Sequence, residues 1–150
     1  MKVDRARVTD ATTIHQIVNR FAGKGEMLPR ALSDIYENIR DYFVNREDEK
    51  VTACAALHVN WLDLAEIRSL AVDESKQKQG IGSLLIQACL DEAKQLGIPT
   101  VFCLTSKPDL FQKHQFKLVD KMELPRKVWT ECYRCPKFPD CDEVALVHHI

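Results

Sequence analysis

The chain has 150 residues, of which 45% are hydrophobic and 29% are charged, a balance typical of one globular domain with its own core. Because 21 basic residues stand against 22 acidic ones, the formal net charge of -1 provides no field that would attract nucleic acid or anionic lipid. No stretch has the continuous apolar run of a signal peptide or the ~20 apolar residues of a membrane-spanning helix. The sequence therefore predicts a cytoplasmic protein without a nucleic-acid or membrane partner.

The first half of the chain predicts a strand, two helices and then three strands. Residues 2–9 alternate in hydropathy as a strand does, and residues 23–30 contain glycine and proline and form a loop between the helices. Each helix has an inward face of apolar residues at helical spacing: Ile14, Ile17, Val18 and Phe21 in the first, and Leu32, Ile35, Tyr36 and Ile39 in the second. Three apolar runs then predict an antiparallel hairpin and a further strand: residues 42–45, 51–59 and 64–72.

The second half begins with the longest predicted helix, from about residue 83 to residue 96, which ends at Gly97. Its residues available to the core are Leu84, Leu85, Ala88 and Ala93. The remaining elements are a buried strand, a short helix, a further strand and a final strand: residues 100–105, 108–114, 116–123 and 144–148. This order, without repeats or a linker, predicts a single α+β domain over residues 1–150.

The most informative stretch joins the strand at residues 64–72 to the longest helix through the loop Gln77-Lys78-Gln79-Gly80-Ile81-Gly82. Glycines lack a Cβ and let the backbone approach a ligand closely, and the first N–H groups of a helix have no intrahelical partner. These donors, with the positive end of the helix dipole, suit an anion such as a phosphate. Two glycines at a helix start fit a cap or a tight turn equally well, so the loop by itself is weak evidence.

Gln77, Gly80 and Gly82 resemble the pyrophosphate-binding signature of the GCN5-related N-acetyltransferases (GNAT): Arg or Gln, two variable residues, Gly, one variable residue, then Gly or Ala. The resemblance implies the GNAT fold, a central mixed, mostly antiparallel sheet of about six to seven strands flanked by about four helices. It also implies acetyl-CoA as the acetyl donor, with no firm metal. The residues expected to hold the coenzyme are Leu70, Ala71, Val72, Gln77, Lys78, Gln79, Gly80, Ile81, Gly82, Ser83 and Phe111.

Two positions depart from the family pattern. Family members often carry a Tyr in the late helix that protonates the departing thiolate, whereas the matching residue here is Phe111, which has no proton to donate. Another group or solvent would then serve. The family also favours Gly before the Phe of the late strand, but Gln115 precedes Phe116, so this turn must differ or tolerate strain.

Glu66 is the candidate general base. Acetyl transfer needs a neutral amine, yet an ammonium group is largely protonated near neutral pH, so a base is expected to act directly or through water. Glu66 lies on the strand that leads to the loop, and in the resembling family a carboxylate near this point often takes this role. Side chains in a strand repeat every second residue, so Glu66 and Arg68 should share a face. The alternative is therefore a simple surface ion pair.

Three longer stretches resemble the short bacterial N-acetylglutamate synthases: residues 27–30, residues 65–72 and the tail from residue 124 onwards. This resemblance implies acetyl transfer to the α-amino group of L-glutamate, which gives N-acetyl-L-glutamate in the first step of arginine biosynthesis, and a homodimer is the family-level expectation. An amino dicarboxylate needs two cationic anchors, and Arg is the residue best shaped for bidentate carboxylate binding. The expected substrate-binding residues are Arg30, Arg68 and Lys127.

Two other functions fit the same residues. One is acetylation of glutamine, another small amine or a protein amine by the same fold. The other is a non-catalytic acyl-CoA-binding regulatory module, an alternative favoured by Phe111 in place of Tyr. A screen of acceptor amines with acetyl-CoA separates these functions.

The six cysteines fall into two groups. Cys54, Cys89 and Cys103 lie in apolar runs and are expected to fill the core as free thiols. Zinc is a weak hypothesis for the second group, because one C-x-x-C with a third cysteine lacks the second pair of a strong zinc motif, and free buried thiols or a Cys135–Cys141 link under oxidation are favoured over it. Its candidate ligands are Cys132, Cys135 and Cys141, with His148 and His149 close behind. The remaining histidines, among them His58 and His114, are expected to be surface or hydrogen-bonded structural residues.

Overall fold

The computed structural model describes residues 2–24, 27, 29–124 and 143–150. Seven strands form one sheet in the order β1-β2-β3-β4-β5-β7-β6. The strands are β1 (Val3–Arg5), β2 (Tyr42–Glu47), β3 (Lys50–Trp61), β4 (Leu64–Val72), β5 (Thr100–Thr105), β6 (Lys117–Val119) and β7 (Val144–His149). The α-helices of the described residues are α1 (Ala11–Gly23), α2 (Leu32–Glu37), α3 (Ile81–Leu96) and α4 (Asp109–Gln112).

Neighbouring strands pair antiparallel throughout this sheet except β4 and β5, which run parallel. The crossover that a parallel pair requires is α3, which connects the end of β4 to the start of β5. The predicted α+β class and the mixed, mostly antiparallel sheet are therefore confirmed. In the part of the chain that the structure describes, no helix is long and apolar enough to cross a membrane.

The sheet is buried on both faces. Successive residues of a strand point to opposite faces, so Leu57 on β3 packs in the cluster that contains α3, whereas its neighbour Ala56 packs in the cluster that contains α1. Apolar residues of α3, such as Leu85, cover the first face. Those of α1, such as Ile14, cover the second. A site on β3 or β4 is therefore positioned by packing from both sides.

A bulge interrupts β4 near its middle. Arg68 is opposite Ala56 on β3, but Ala71 is opposite Cys54, so two residues of β4, Ser69 and Leu70, face a single residue of β3. Ser69 has a φ of 57°, in the left-handed region that residues with a side chain rarely adopt. The extra residue shifts the alternation of side chains along the second half of β4.

β4 and β5 diverge just before the bulge. Their parallel pairing ends at Glu66 and Phe102, although β4 continues to Val72 and β5 to Thr105. The two strands therefore open a wedge in the middle of the sheet, and the loop before α3 lies at its wide end.

Several predicted boundaries need correction. Residues 2–9 form a strand only from Val3 to Arg5, and a 3-10 turn at Val8–Asp10 follows. The carboxylate of Asp10 accepts a hydrogen bond from the Arg7 backbone N–H at 2.7 Å and pairs with Arg46 at 2.8 Å. These contacts favour a turn where hydropathy suggests a strand. The late strand, predicted over residues 116–123, covers only Lys117–Val119.

Two residues predicted to face the core are largely exposed. Tyr36 on α2 is 44% exposed and Leu84 on α3 is 43% exposed. α3 begins at Ile81, two residues before the predicted start, because Gly80 caps it in a left-handed conformation. In contrast, the expectation for three cysteines is confirmed: Cys54, Cys89 and Cys103 are buried free thiols, and burial raises the pKa of Cys54 to about 12.

Candidate active site

A cleft of about 680 Å³ occupies the wedge between β4 and β5. The expected coenzyme-binding residues line it, with the exception of Gln79: Leu70, Ala71, Val72, Gln77, Lys78, Gly80, Ile81, Gly82, Ser83 and Phe111. The strand, the glycine-containing loop and the start of α3 thus form one continuous wall. The opposite wall comes from the end of β5 and from α4. We call this space the wedge cleft.

The three signature residues of the loop have separate physical roles. Gly80 has a φ of 85°, and a Cβ added there would contact nothing within 4 Å, so the backbone conformation and not packing requires glycine. A Cβ on Gly82 would come within 2.9 Å of Leu110 Cδ2, so this glycine allows α3 to pack against α4. The Gln77 side chain donates a hydrogen bond to the Val72 carbonyl at 3.1 Å and ties the loop to the end of β4.

The wedge cleft is lined by more basic than acidic side chains. Lys76 and Lys78 lie on the loop, as the sequence indicates. Two further lysines, Lys107 and Lys113, come from the region around α4 and have no sequence signature that connects them to the loop. Together with the first N–H groups of α3, these ammonium groups make the cleft suitable for an anionic ligand.

Phe111 occupies the position where the family often has Tyr, and its ring is buried. It packs edge-on against Phe116 with a centroid distance of 5.3 Å. Gln115, which replaces the family Gly, has a φ of 67°, so the turn keeps a left-handed residue and tolerates the strain. The proton for a leaving thiolate must therefore come from another group, and hydroxyl side chains of the cleft wall are Ser69, Ser83, Thr105 and Ser106.

Glu66 and Arg68 lie on the face of β4 that is opposite α3. Their neighbours Ala65 and Ile67 pack into the cluster around α3, so alternation directs Glu66 and Arg68 to the other face, as predicted. Glu66 is the last residue of β4 that pairs with β5 and so marks the narrow end of the wedge. Arg68 lines the wedge cleft, whereas Glu66 is not among its lining residues.

Tyr42 lies on the same face of the sheet as Arg68 and hydrogen-bonds to Ser69 of the bulge. Its Cα partner is Ala56, whose partner on the other side is Arg68, so the three residues form a row across β2, β3 and β4. The Tyr42 hydroxyl hydrogen-bonds to the Ser69 side chain. Burial raises the pKa of Tyr42 to about 12, although the charges of Arg30 and Arg68 lower it, so the phenol is neutral near pH 7.

Arg30 is held in place by its backbone. Its N–H donates to Asn19 Oδ1 at 3.1 Å, and its carbonyl accepts from Asn19 Nδ2 at 2.9 Å. The side chain is buried and its guanidinium lies 3.8 Å from the Asp34 carboxylate. Arg30 and Arg68 both act on the Tyr42 phenol, and Glu66 shares the face of β4 that carries Arg68, so we refer to Arg30, Tyr42, Glu66 and Arg68 as the polar cluster. The third expected substrate residue, Lys127, lies outside the described residues.

A histidine–aspartate pair, to which the sequence assigned no functional role, adjoins the polar cluster. His58 is the Cα partner of Glu66 across β3 and β4. Its Nδ1 lies 3.0 Å from Asp41 Oδ2. The expectation that His58 is hydrogen-bonded is confirmed, but its position opposite Glu66 depends on strand register, which hydropathy alone does not specify.

The zinc hypothesis stays a prediction. Cys132, Cys135 and Cys141 lie outside the described residues. His148 Nδ1 donates to the His114 carbonyl at 2.9 Å, and His149 Nδ1 lies 3.4 Å from Thr100 Oγ1. Within residues 2–24, 27, 29–124 and 143–150, no group of three His, Cys, Asp or Glu side chains is arranged to hold a metal ion.

Comparisons with known proteins agree with this geometry. Residues 12–116 match the acetyltransferase (GNAT) family. An uncharacterized N-acetyltransferase of Chlorobaculum tepidum is 40% identical over 145 residues, which are 97% of this chain and 94% of the relative. An amino-acid acetyltransferase of Mycobacterium tuberculosis is 36% identical over 135 residues, which are 88% of this chain and 77% of the relative.

Solved structures show the same architecture. The structure of Rv2747 from Mycobacterium tuberculosis in complex with CoA and NLQ superposes with a TM-score of 0.85 at 30% identity, covering 100% of this chain and 99% of that one. N-acetylglutamate synthase from Neisseria gonorrhoeae, complexed with coenzyme A and N-acetyl-glutamate, has a TM-score of 0.87. At 23% identity, over 99% of this chain and 34% of that chain, this second likeness concerns the fold alone. The chain therefore belongs to the GNAT family and is an N-acetyltransferase.

Proposed function

We propose that this protein transfers the acetyl group of acetyl-CoA to the α-amino group of L-glutamate. The observation that carries the proposal is the polar cluster, in which two arginines act on one buried phenol beside the bulge of β4. The identity to an amino-acid acetyltransferase supports an amino acid as the acceptor.

Acetyl-CoA fits the wedge cleft by the chemistry of its parts. The diphosphate binds the N–H groups at the start of α3 and the surrounding lysines. The pantetheine arm then follows residues 70–72, whose side of β4 no longer pairs with β5. This path brings the thioester to the bulge, where a backbone N–H near Leu70 meets the developing oxyanion.

Glu66 acts as the base for the acceptor, either directly or through one water. Glu66 lies at the narrow end of the wedge, two residues before Arg68 and on the same face of β4, which supports a base close to the bulge. The neutral amine attacks the thioester carbonyl, and the tetrahedral intermediate collapses with loss of the thiolate. Because Phe111 has no proton to give, a hydroxyl of the cleft wall or water protonates the thiolate.

The two carboxylates of glutamate match the cations of the polar cluster. Arg30 and Arg68 would each bind one carboxylate, and a buried neutral phenol adds a hydrogen-bond donor that does not repel the ligand. Lys127 is retained as a third proposed anchor from the sequence.

One observation favours glutamine as a second candidate acceptor. Asp34 lies 3.8 Å from the guanidinium of Arg30 and neutralises part of its charge. A side-chain amide, which lacks a full negative charge, then suffers less repulsion near Asp34 than a carboxylate does. Glutamate and glutamine must therefore be compared in the same assay.

The test measures thiol release from acetyl-CoA with glutamate, glutamine and a diamine, on wild type and on Arg68→Met. We expect glutamate to give the highest kcat/KM, and Arg68→Met to lower this value about 10- to 100-fold through KM, because a charged hydrogen bond contributes roughly 1.5–3 kcal/mol. Arg5→Met, at an exposed site on β1, is the matched control and should change little. Turnover of the diamine with none of glutamate would reject the proposal.

A further inference from the structure

The proposed reaction must discharge one proton in every turnover. An ammonium and a thioester become an amide, a thiol and one proton: the nitrogen loses two hydrogens, of which one ends on the thiolate and one has to leave. A carboxylate that accepts this proton is inactive as a base until it loses it again. A route from Glu66 to solvent is therefore a chemical requirement of the mechanism.

Asp41 and His58 form a pair suited to such a route. A carboxylate can only accept a hydrogen bond, so at 3.0 Å from Asp41 the Nδ1 of His58 carries the proton and donates it. In the neutral ring Nε2 then has a free lone pair and is an acceptor. The side chains of His58 and Asp41 are 30% and 27% exposed, so the pair is in contact with solvent.

Strand register places this imidazole beside the candidate base. His58 and Glu66 are directly opposite each other on antiparallel strands, an arrangement in which the two side chains share a face with Cβ atoms ~4.5–5.5 Å apart. Other titratable groups on this face are Tyr42 on β2 and Arg68 on β4, with Asp41 just before β2. His58 is thus opposite the candidate base on the neighbouring strand and hydrogen-bonded to the half-buried Asp41.

We propose that His58 and Asp41 form the proton exit of this enzyme, taking the proton from Glu66 and releasing it to solvent. The proposal rests on the role of Glu66 in the proposed function. The proton moves from the ammonium to the Glu66 carboxylate, then to Nε2 of His58, which becomes an imidazolium beside the Asp41 carboxylate. Loss of that proton to water restores the neutral ring. In this scheme neither residue contacts the substrate, so His58 is a relay and Asp41 a positioning residue.

A purely structural pair would behave differently. A cross-strand ion pair at a half-exposed site contributes on the order of 0.2–1 kcal/mol to folding and has no influence on the pH dependence of turnover. A relay takes part in every turnover, so removing the imidazole should lower kcat itself, whereas loss of a structural pair should not. The Asp41 carboxylate holds Nδ1–H in place and stabilises the imidazolium that forms during transfer, so its loss should also lower kcat.

The experiment measures kcat, KM and coenzyme Kd between pH 5.5 and 9 for wild type, His58→Gln, His58→Ala and Asp41→Asn. We expect His58→Gln to lower kcat on the order of 10-fold or more, with KM and Kd kept, and to change the shape of the pH profile of kcat. Added imidazole should restore part of the kcat of His58→Ala. Asp41→Asn should lower kcat less. Asp63→Asn, in the exposed turn between β3 and β4, is the charge-matched control.

Two results would overturn the relay. The first is a kcat for His58→Gln within about twofold of wild type, together with an inactive Glu66→Gln. This result would reject the relay but leave the proposed function intact. The second is a Glu66→Gln variant as active as wild type, which would remove the base and the relay together. The assay uses whichever amine wild type acetylates, because every ammonium acceptor must lose the same proton.

Discussion

The wedge cleft and the polar cluster adjoin at β4, where Arg68 belongs to both, but they present mainly different chemical groups. The cleft offers backbone N–H groups of α3 and the end of β4, supplemented by lysines on its rim. The polar cluster offers side chains alone, held by burial and by hydrogen bonds such as that between Tyr42 and Ser69. The difference supports the proposal that the cleft binds the coenzyme through the backbone, whereas the side chains of the polar cluster select the acceptor.

The largest expected effect is a loss of turnover without a loss of coenzyme affinity. Glu66→Gln should lower kcat about 10²–10⁴-fold, because the amide is isosteric but cannot take a proton. The coenzyme Kd, measured by calorimetry, should stay at the wild-type value, since Glu66 is not among the residues that line the wedge cleft. Glu49→Gln, in the turn between β2 and β3, serves as control. Parallel losses of affinity and turnover would mean that the two regions are one site.

A smaller effect is expected from a substitution in the loop of the wedge cleft, where coenzyme affinity is the quantity that should change. Gly80→Ala forces a left-handed conformation at a cost of roughly 1–2 kcal/mol, so the loop should relax and weaken coenzyme A binding about tenfold. Gly97→Ala is the matched control, because Gly97 has a φ of 80° with nothing within 4 Å of an added Cβ. This control should lower the free energy of unfolding but not the coenzyme affinity. Equal affinities for both variants would contradict the role given to the loop.

The smallest effect concerns the polar cluster. Tyr42→Phe removes one buried hydroxyl, worth about 1 kcal/mol, so KM for the amino acid should rise about fivefold while coenzyme affinity is kept. A KM that stays at the wild-type value would exclude the phenol from acceptor binding.

The same variant has an expected signature in the pH dependence of stability. Burial raises the pKa of Tyr42 to about 12 in the folded protein, above the value of about 10 in an unfolded chain. The folded state therefore holds the proton more tightly, and stability falls as pH rises from about 10 to 12. Urea unfolding at pH 9 and pH 11 should show a smaller alkaline loss for Tyr42→Phe than for wild type. An identical alkaline loss of stability in both proteins would mean that a group other than Tyr42 causes it.

Much of the cleft was predictable because its parts are contiguous in the chain. Residues 70–83 run from a strand through a glycine-containing loop into a helix, and each step has a local cause: a positive φ at Gly80, close packing at Gly82, and free N–H groups at the helix start. Local sequence determines such features, since they depend on backbone conformation within one turn. The α+β class and most of the strands followed from hydropathy for the same reason.

The tertiary structure decided which distant residues meet. Strand register aligns Tyr42 with Arg68 and places His58 opposite Glu66, and the contact with Asn19 holds Arg30 in place, although no spacing in the sequence connects these positions. The exposure of Tyr36 and Leu84 also depends on which face of each helix packs against another element. The hydropathy period predicts an apolar face but does not say how much of it another element covers. Local sequence thus determines backbone conformation, whereas strand register and the proximity of distant side chains are set only when the whole sheet has assembled.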